Sequence, residues 1–421
     1  MRKRVLFVSD HGDPLAKLGG KQAGGQNNYV KQLALALEKR GWQIDVVTHW
    51  CDETAPRVET FGKSCRVYRI KAGYKGFVSK NEMYSMLPAF YEELKQTLPL
   101  ASYDLVHTHY WLSGLIGKKL KEEFGLPVIY TSHSLGWAKE KATGIRDERR
   151  MKAEEIILKT ADQVLATTKS EKQLIQQHVD SPSPIKVIPI GVDQAFKVQG
   201  NRKHLRKRLG YAHPLFVFAG RLEETKGIYT LLKAFQLLVA KGDSSYNPRL
   251  VIAGGDAEAI DSVARLPLDE KLCYALEGIE DKVEFLGPKS QEELATLFNA
   301  ATATVVPSFY ESFGMVAAEA QACGSPVIAS DVGGLKNVVR DGITGLLVET
   351  KNEIDLAIAM EVLAANNLLA ERLSRQAIDV ANQEFQWSSI SAKIDAMYGV
   401  MMDERSNAFI SNRLGQNIRR G

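Results

Sequence analysis

The chain has 421 residues, of which 45% are hydrophobic and 25% charged, with 33 Gly and 14 Pro; this is ordinary globular usage and excludes fibrous, coiled-coil and disordered classes. At roughly 150 residues per domain the length predicts two large units rather than one small module. The formal charge is +4, from 54 Lys+Arg against 50 Asp+Glu, and the stretch Arg405–Gly421 carries four Arg and no acid, so the body is balanced and lacks the basic excess of a nucleic-acid binder.

The amino terminus, MRKRVLFVSDHGD, begins with basic residues, but its apolar run is too short for a signal segment. No stretch approaches 18 apolar residues, so neither a membrane span nor a membrane partner is expected, and the predicted location is the cytoplasm. Cys51, Cys65, Cys273 and Cys323 are widely separated with no C-x-x-C pair, which fits reduced thiols and neither a zinc site nor a disulfide framework. The tail from Arg405 reads as a frayed polar end.

Short Val/Ile-rich runs alternate with helical patterns. Arg4–Ser9, Ile44–His49, Asp104–His109, Pro127–Ser132, Gln163–Thr168 and Lys186–Ile190 read as strands buried on both faces. Gln26–Arg40 places Val30, Leu33, Ala34 and Leu37 on one stripe and stops at Gly41; Glu148–Lys159 and Ser170–His178 are amphipathic too. After a polar, basic stretch, Asp193–His213, the alternation restarts with Leu215–Ala219, Arg249–Ala253, Val283–Leu286, Thr304–Pro307 and Pro326–Ser330. The predicted class is α/β, with a first domain over 1–192 and a second over 193–387. The last helical region, 388–421, is free to pack back on either half, the first included. In doubly wound parallel sheets ligands sit beyond the carboxyl ends of the strands, so two such domains face one another across a cleft.

Four segments at strand ends carry candidate chemistry. Gly19, Gly20, Gly24 and Gly25 precede Gln26 and a helix start, where backbone N–H groups can approach an anion. The spacing is not the dinucleotide fingerprint, which disfavours a nicotinamide enzyme. His107 and His109 alternate on a strand end, and His133 ends the next strand. Tyr110 and Trp111 stand where a metallohydrolase would continue with Asp and His, which disfavours a metal site, and His133, at a strand end on the cleft, is read as a substrate contact. Arg221 and Lys226 bracket one turn before a helix, a pairing suited to a diphosphate. In PSFYESFGMVAAEAQACGSPVIASDVGG, from Pro307, Glu311 and Glu319 are eight apart. A helix starting near Gly314 would present the amides of Phe313, Gly314 and Met315 to a ligand and set Glu319 about 7 Å deeper. Carboxylates so placed suit hydroxyl recognition.

These residues resemble the retaining glycosyltransferases of family 4, which have the GT-B architecture of two Rossmann-like domains around a cleft. The resemblance runs from Val5 to about Trp387, most specifically through Glu311 and Glu319, Phe313-Gly314, Gly220-Arg221, Lys226-Gly227 and Gly333-Gly334. Within that family AGGQNNYV, HTHYWLSG and HSLG look like sucrose-phosphate synthases. The resemblance implies transfer of glucose from UDP-glucose to fructose 6-phosphate with retention, giving sucrose 6-phosphate and UDP. The same fold also serves free fructose, inositol phosphate or a mannosyl donor. Arg221 and Lys226 would contact the diphosphate, Glu319 the ribose, and Glu311, with Ser312 and the Phe313, Gly314 and Met315 segment, the glucose. Gly25 would approach the donor phosphate, Gln26 the acceptor, and His133 the transferred sugar. Lys80, Arg149 and Arg150 would hold the acceptor phosphate. A front-face path is implied, with Glu311 and Glu319 at the donor's far edges rather than paired across the anomeric carbon. No cofactor or metal is required by these residues, magnesium being at most a stimulant. One departure is that Leu335 and Asn337 stand where many members carry Pro and Glu.

Overall fold

The computed structural model describes residues 3–16, 24–73, 75–241 and 247–418, with the backbone alone at 80, 81 and 406–418. The Gly19-Gly20 pair lies outside the described residues, as does the Lys80 side chain.

The first unit is built on eight strands: β1 (Lys3–Val8), β2 (Trp42–His49), β3 (Val58–Phe61), β4 (Cys65–Ile70), β5 (Leu105–His109), β6 (Val128–Thr131), β7 (Gln163–Ala166) and β8 (Ile185–Val187). They lie in the order β3-β4-β2-β1-β5-β6-β7-β8, and all neighbours are parallel except β3 and β4. Val5 pairs with Ile44 on one side and Leu105 on the other. The second unit has β9 (Leu215–Ala219), β10 (Arg249–Ala253), a small hairpin of β11 (Ile260–Asp261) and β12 (Leu266–Pro267), β13 (Val283–Gly287), β14 (Ala303–Val306), β15 (Val327–Ser330) and β16 (Gly345–Val348). Its main sheet runs β13-β10-β9-β14-β15-β16, all parallel.

Both sheets reverse their strand order once, at β1/β5 and at β9/β14. A crevice opens at such switch points beyond the strand ends, because the flanking helices depart to opposite faces. The candidate motifs leave these four strands, the adjacent β6 or, for Gly333-Gly334, the adjacent β15. The helix Gly25–Glu38 buries Tyr29, Val30, Leu33, Ala34 and Leu37 against the first sheet. An apolar stripe at helical spacing thereby fixes the segment that aims Gly25 and Gln26.

The chain crosses between units twice. The Val192 N–H donates to Phe385 O at 2.8 Å, and Gly191 lies under the Trp387 ring, where a Cβ would sit 2.3 Å from ring carbon. The terminal helix, Trp387–Ile418, then lies along the first unit. Ile390, Ile394, Met397 and Tyr398 are buried there, each contributing about 1.5–3 kcal/mol of apolar burial. Polar contacts fix its register: Trp42 Nε1 donates to Asp395 at 2.8 Å, Arg40 Nε to Ser391 at 2.9 Å, and Tyr398 Oη pairs with His107 Nδ1 at 2.6 Å.

Tyr398→Phe removes the partner of a buried imidazole nitrogen without opening a cavity. We expect a loss of about 1–3 kcal/mol, read as a lowered denaturation midpoint at unchanged slope in urea.

Candidate active site

The first wall lies at the ends of β1, β5 and β6. Gln26 Nε2 donates to Ser9 Oγ at 3.1 Å and to His109 O at 3.4 Å, tying the helix start to two strand ends. Both Tyr110 and His133 adopt positive φ, 78° and 57°. A non-glycine residue held there costs on the order of 1 kcal/mol or more, a type of strain that clusters where a side chain must be aimed. His109 Nδ1 lies 3.1 Å from His133 Nε2, and the Tyr29 ring stands edge-on to His133 at 4.9 Å between centroids. His107 is fixed by Tyr398 and by Thr131 Oγ1 at 2.8 Å. Burial, with the neighbouring His133, lowers its pKa to about 3, and burial also holds His109 well below the ordinary value.

The expected acceptor cations separate in the structure. Arg150 is buried, donating to Glu154 at 2.7 Å and to Ser134 O and Oγ at 2.7 and 3.0 Å, with Tyr110 beneath it at 4.9 Å. It is committed inside the wall and is not a free phosphate ligand in this arrangement. The i,i+4 relation of Arg150 to Glu154 was present in the sequence, but their burial was not. Arg149 instead stands over the Tyr84 ring at 4.9 Å. With Trp111, Ile145 and Arg146 it lines a cavity of about 650 Å³. Tyr84, Tyr110, Trp111 and Arg146 are site neighbours that the sequence reading did not select; the HTHYWLSG segment held the signal for two of them.

The second wall lies at the ends of β9, β14 and β15. Lys226 Nζ donates to Glu311 Oε1 at 2.5 Å, and Ser308 Oγ donates to the same oxygen at 3.0 Å. Backbone bonds hold these turns together: Phe309 N–H to Thr225 O at 2.9 Å, and Gly334 N–H to Glu311 O at 2.7 Å. Gly227 has φ 75°, and a Cβ there would meet Pro307 O at 2.0 Å, so only glycine fits. Arg221 has a side chain 72% exposed and is paired to Glu223 at 2.6 Å rather than joined to the Lys226–Glu311 pair.

Gly314, at φ 102°, is the amino cap of the helix Met315–Ala322. The first intrahelical bond runs from Ala318 N–H to Gly314 O, so the unpaired amides are those of Gly314 to Ala317; Gly314 and Met315 are among them, as the sequence predicts, and Phe313 lies before the cap. The Phe313 side chain points into the core, 5.7 Å from Phe385. Ser312 O accepts from Thr168 Oγ1 of the first unit at 3.4 Å. A Cβ on Gly25 would lie 3.9 Å from Met315 Cγ, so the two walls meet at these residues. Glu319 is buried one turn further in, and burial together with the Asp193 charge raises its pKa to about 8. Among the described residues no group of three or more His, Cys, Asp or Glu is placed to hold a metal ion, and no helix is long and apolar enough to cross a membrane.

Two parallel-sheet Rossmann-like units with their switch points at one cleft, and a lysine–glutamate pair at a helix start, define a glycosyltransferase of the GT-B fold. The chain belongs to the group 1 glycosyltransferase family. Residues 201–380 match the family model described as glycosyl transferases group 1, and residues 23–196 match that of glycosyltransferase family 4. D-inositol 3-phosphate glycosyltransferase of Actinosynnema mirum is 36% identical over 95% of this chain and 98% of its own. That of Corynebacterium glutamicum is 34% identical over 94% and 96%. Among solved structures, the sucrose-phosphate synthase of Thermosynechococcus elongatus is 34% identical, covers 96% of this chain and 100% of its own, and superposes with a TM-score of 0.86.

The Glu319 pKa lies above its unfolded value, so the folded state prefers the protonated carboxyl. Its contribution is complete below about 4.5 and is lost as pH rises through about 8. Between those limits the melting temperature of the free protein is expected to fall with pH more steeply than that of Glu319→Gln, measured by calorimetry; parallel curves would contradict this.

Proposed function

We propose that the protein transfers a hexosyl group, with retention, from a nucleotide diphosphate sugar to a phosphorylated polyhydroxy acceptor. UDP-glucose and fructose 6-phosphate are the first substrates of this reading. The observation that carries it is the Lys226–Glu311 pair at the amino end of Met315–Ala322. A cation and free amides there suit a diphosphate, and a carboxylate suits sugar hydroxyls. As the donor bond breaks, charge accumulates on the leaving phosphate, where Lys226 would stabilise it and Arg221 would join after leaving Glu223. Glu311 would then accept hydrogen bonds from the hexose and Glu319 from the ribose. The leaving phosphate oxygen would take the acceptor's proton, so that no carboxylate of the protein need be a nucleophile.

The named activities of the relatives, sucrose-phosphate synthase and D-inositol 3-phosphate glycosyltransferase, share a phosphate-bearing polyol in their names. In this chain Arg149 and Arg146, beside Tyr84 and Trp111, offer cations and aromatic faces at the first wall. They are assigned to the acceptor phosphate in place of Arg150. The second reading, with inositol 3-phosphate as acceptor, is favoured by the curated relatives at 33–36% identity across nearly the whole chain.

A panel of nucleotide sugars with fructose 6-phosphate, fructose and inositol 3-phosphate, followed by product identification, decides between them. Lys226→Ala is expected to lower kcat about 10²–10³-fold. Arg149→Ala is expected to raise KM for the phosphorylated acceptor about 10-fold or more; an equal effect on free fructose would contradict the phosphate assignment. If Glu319 binds the ribose as a carboxylate, UDP binding at pH 7 releases a proton. The binding enthalpy should then depend on the buffer's ionisation enthalpy, and Glu319→Gln should abolish that dependence.

A further inference from the structure

Between Phe309, whose N–H is held by Thr225, and Glu311, whose carbonyl is held by Gly334, stands Tyr310. Its ring reaches across to the first unit. It packs against an apolar cluster that includes Tyr110, Tyr130, Leu135 and Leu174; every other described member of that cluster falls within residues 78–185, so Tyr310 alone comes from the second unit. The same ring covers Gly333, where a Cβ would come within 3.1 Å of it. Its hydroxyl lies in the field of Glu171, Glu311, Arg150 and Glu154, and three of those four belong to the first unit. Two polar contacts flank it across the cleft: Thr168 Oγ1 to Ser312 O at 3.4 Å, and Ser170 N–H to Asn337 Oδ1 at 3.1 Å.

This arrangement rests one rigid turn on both halves of the molecule. Glu311 is one residue from Tyr310, so its position depends on whether that ring is seated. Arg150, which donates to Ser134 and lies over Tyr110, borders the same seat, so the acceptor wall and the hexose contact share a contiguous set of side chains. Asn337 is the residue that departs from the Glu common in the resembling family, and a neutral amide oxygen here caps an N–H of the first unit's helix Lys169–His178.

We propose that Tyr310 is a positioning residue that ties Glu311 to the first unit, so that the hexose grip is complete only when the two halves of the cleft are closed. Asn337 and Thr168 are the polar part of the same clasp. The inference rests on the reading of Glu311 as a hexose contact.

The test compares Tyr310→Ala, Tyr310→Phe and Asn337→Ala with the wild type, using kcat and KM for UDP-glucose and fructose 6-phosphate, calorimetric UDP affinity, and the radius of gyration with and without UDP. For Tyr310→Ala the expected result is a kcat lowered about 10–100-fold, the scale of a misplaced reacting group, with UDP affinity unchanged within about twofold. A larger radius of gyration with UDP and a greater share of hydrolysis over transfer should accompany it. Tyr310→Phe, which keeps the ring, should restore kcat to within about threefold. Should Tyr310→Ala not fold, Asn337→Ala must still lower kcat with UDP affinity intact. A kcat within twofold of wild type in both variants, or UDP affinity falling in step with kcat, overturns the proposal. A wild type that transfers to no sugar phosphate overturns the functional reading alone, because the scattering comparison of wild type with Tyr310→Ala still decides the clasp.

Discussion

The rest of the cleft depends on one ion pair, Lys226 to Glu311 at 2.5 Å. Its two side chains are 25% and 20% exposed, so the pair is neither cheaply solvated nor fully desolvated, and its net contribution to stability is modest. Its value is positional. Lys226 comes from the turn after β9 and Glu311 from the turn after β14, adjacent strands on either side of the switch point. Gly227 and Pro307 touch so closely that the turns cannot move independently. Within the proposed reaction the pair keeps both charges compensated while the cleft is empty. A diphosphate would take over Lys226, leaving Glu311 to turn its oxygens to hydroxyls.

The central strands were legible in the sequence because strands buried on both faces read as continuous apolar runs, as in VLFV of β1 and LFVFA of β9. The edges were not. β3 and β4, VETF and CRVYRI, mix charge with apolar residues because one face meets solvent, and β16 is only four residues long. The helix Lys80–Thr97 contains Pro88, which broke its pattern, although Ser79 and Glu82 form a complete capping box at its start. Within the site, residue types at strand ends were readable. Which cations were already satisfied was not: Arg149 and Arg150 are adjacent in sequence, yet one is spent on Glu154 and the other borders a cavity. That distinction belongs to burial, which no local spacing encodes.

The relatives carry different activities in their names, and the proposed reading gives a physical reason for such a difference. The second unit holds the glycine contacts, the helix start and the carboxylates in a geometry that tolerates little change, since added Cβ atoms at Gly227, Gly333 and Gly334 would meet backbone oxygen within 2.3 Å. The cavity by Tyr84 and Arg149 is bounded by the loop around Ile145, which is 66% exposed. Exposed loops accept substitution at little cost in stability. In the proposed reaction, acceptor choice could therefore vary around a fixed donor wall.

The histidine group bears on the mechanism through its protons. His107 and His109 are held neutral by burial, and His109 Nδ1 meets His133 Nε2. One of those two nitrogens must donate and the other accept. His109 Nε2 is buried without a hydrogen-bond partner. An orphaned buried N–H is rarer than an orphaned acceptor, so the His109 proton belongs on Nδ1, donated to His133. His133, held at positive φ, then offers its Nε2 lone pair to His109. In the proposed reaction this leaves the departing phosphate, paired with Lys226, as the group that receives the acceptor's proton.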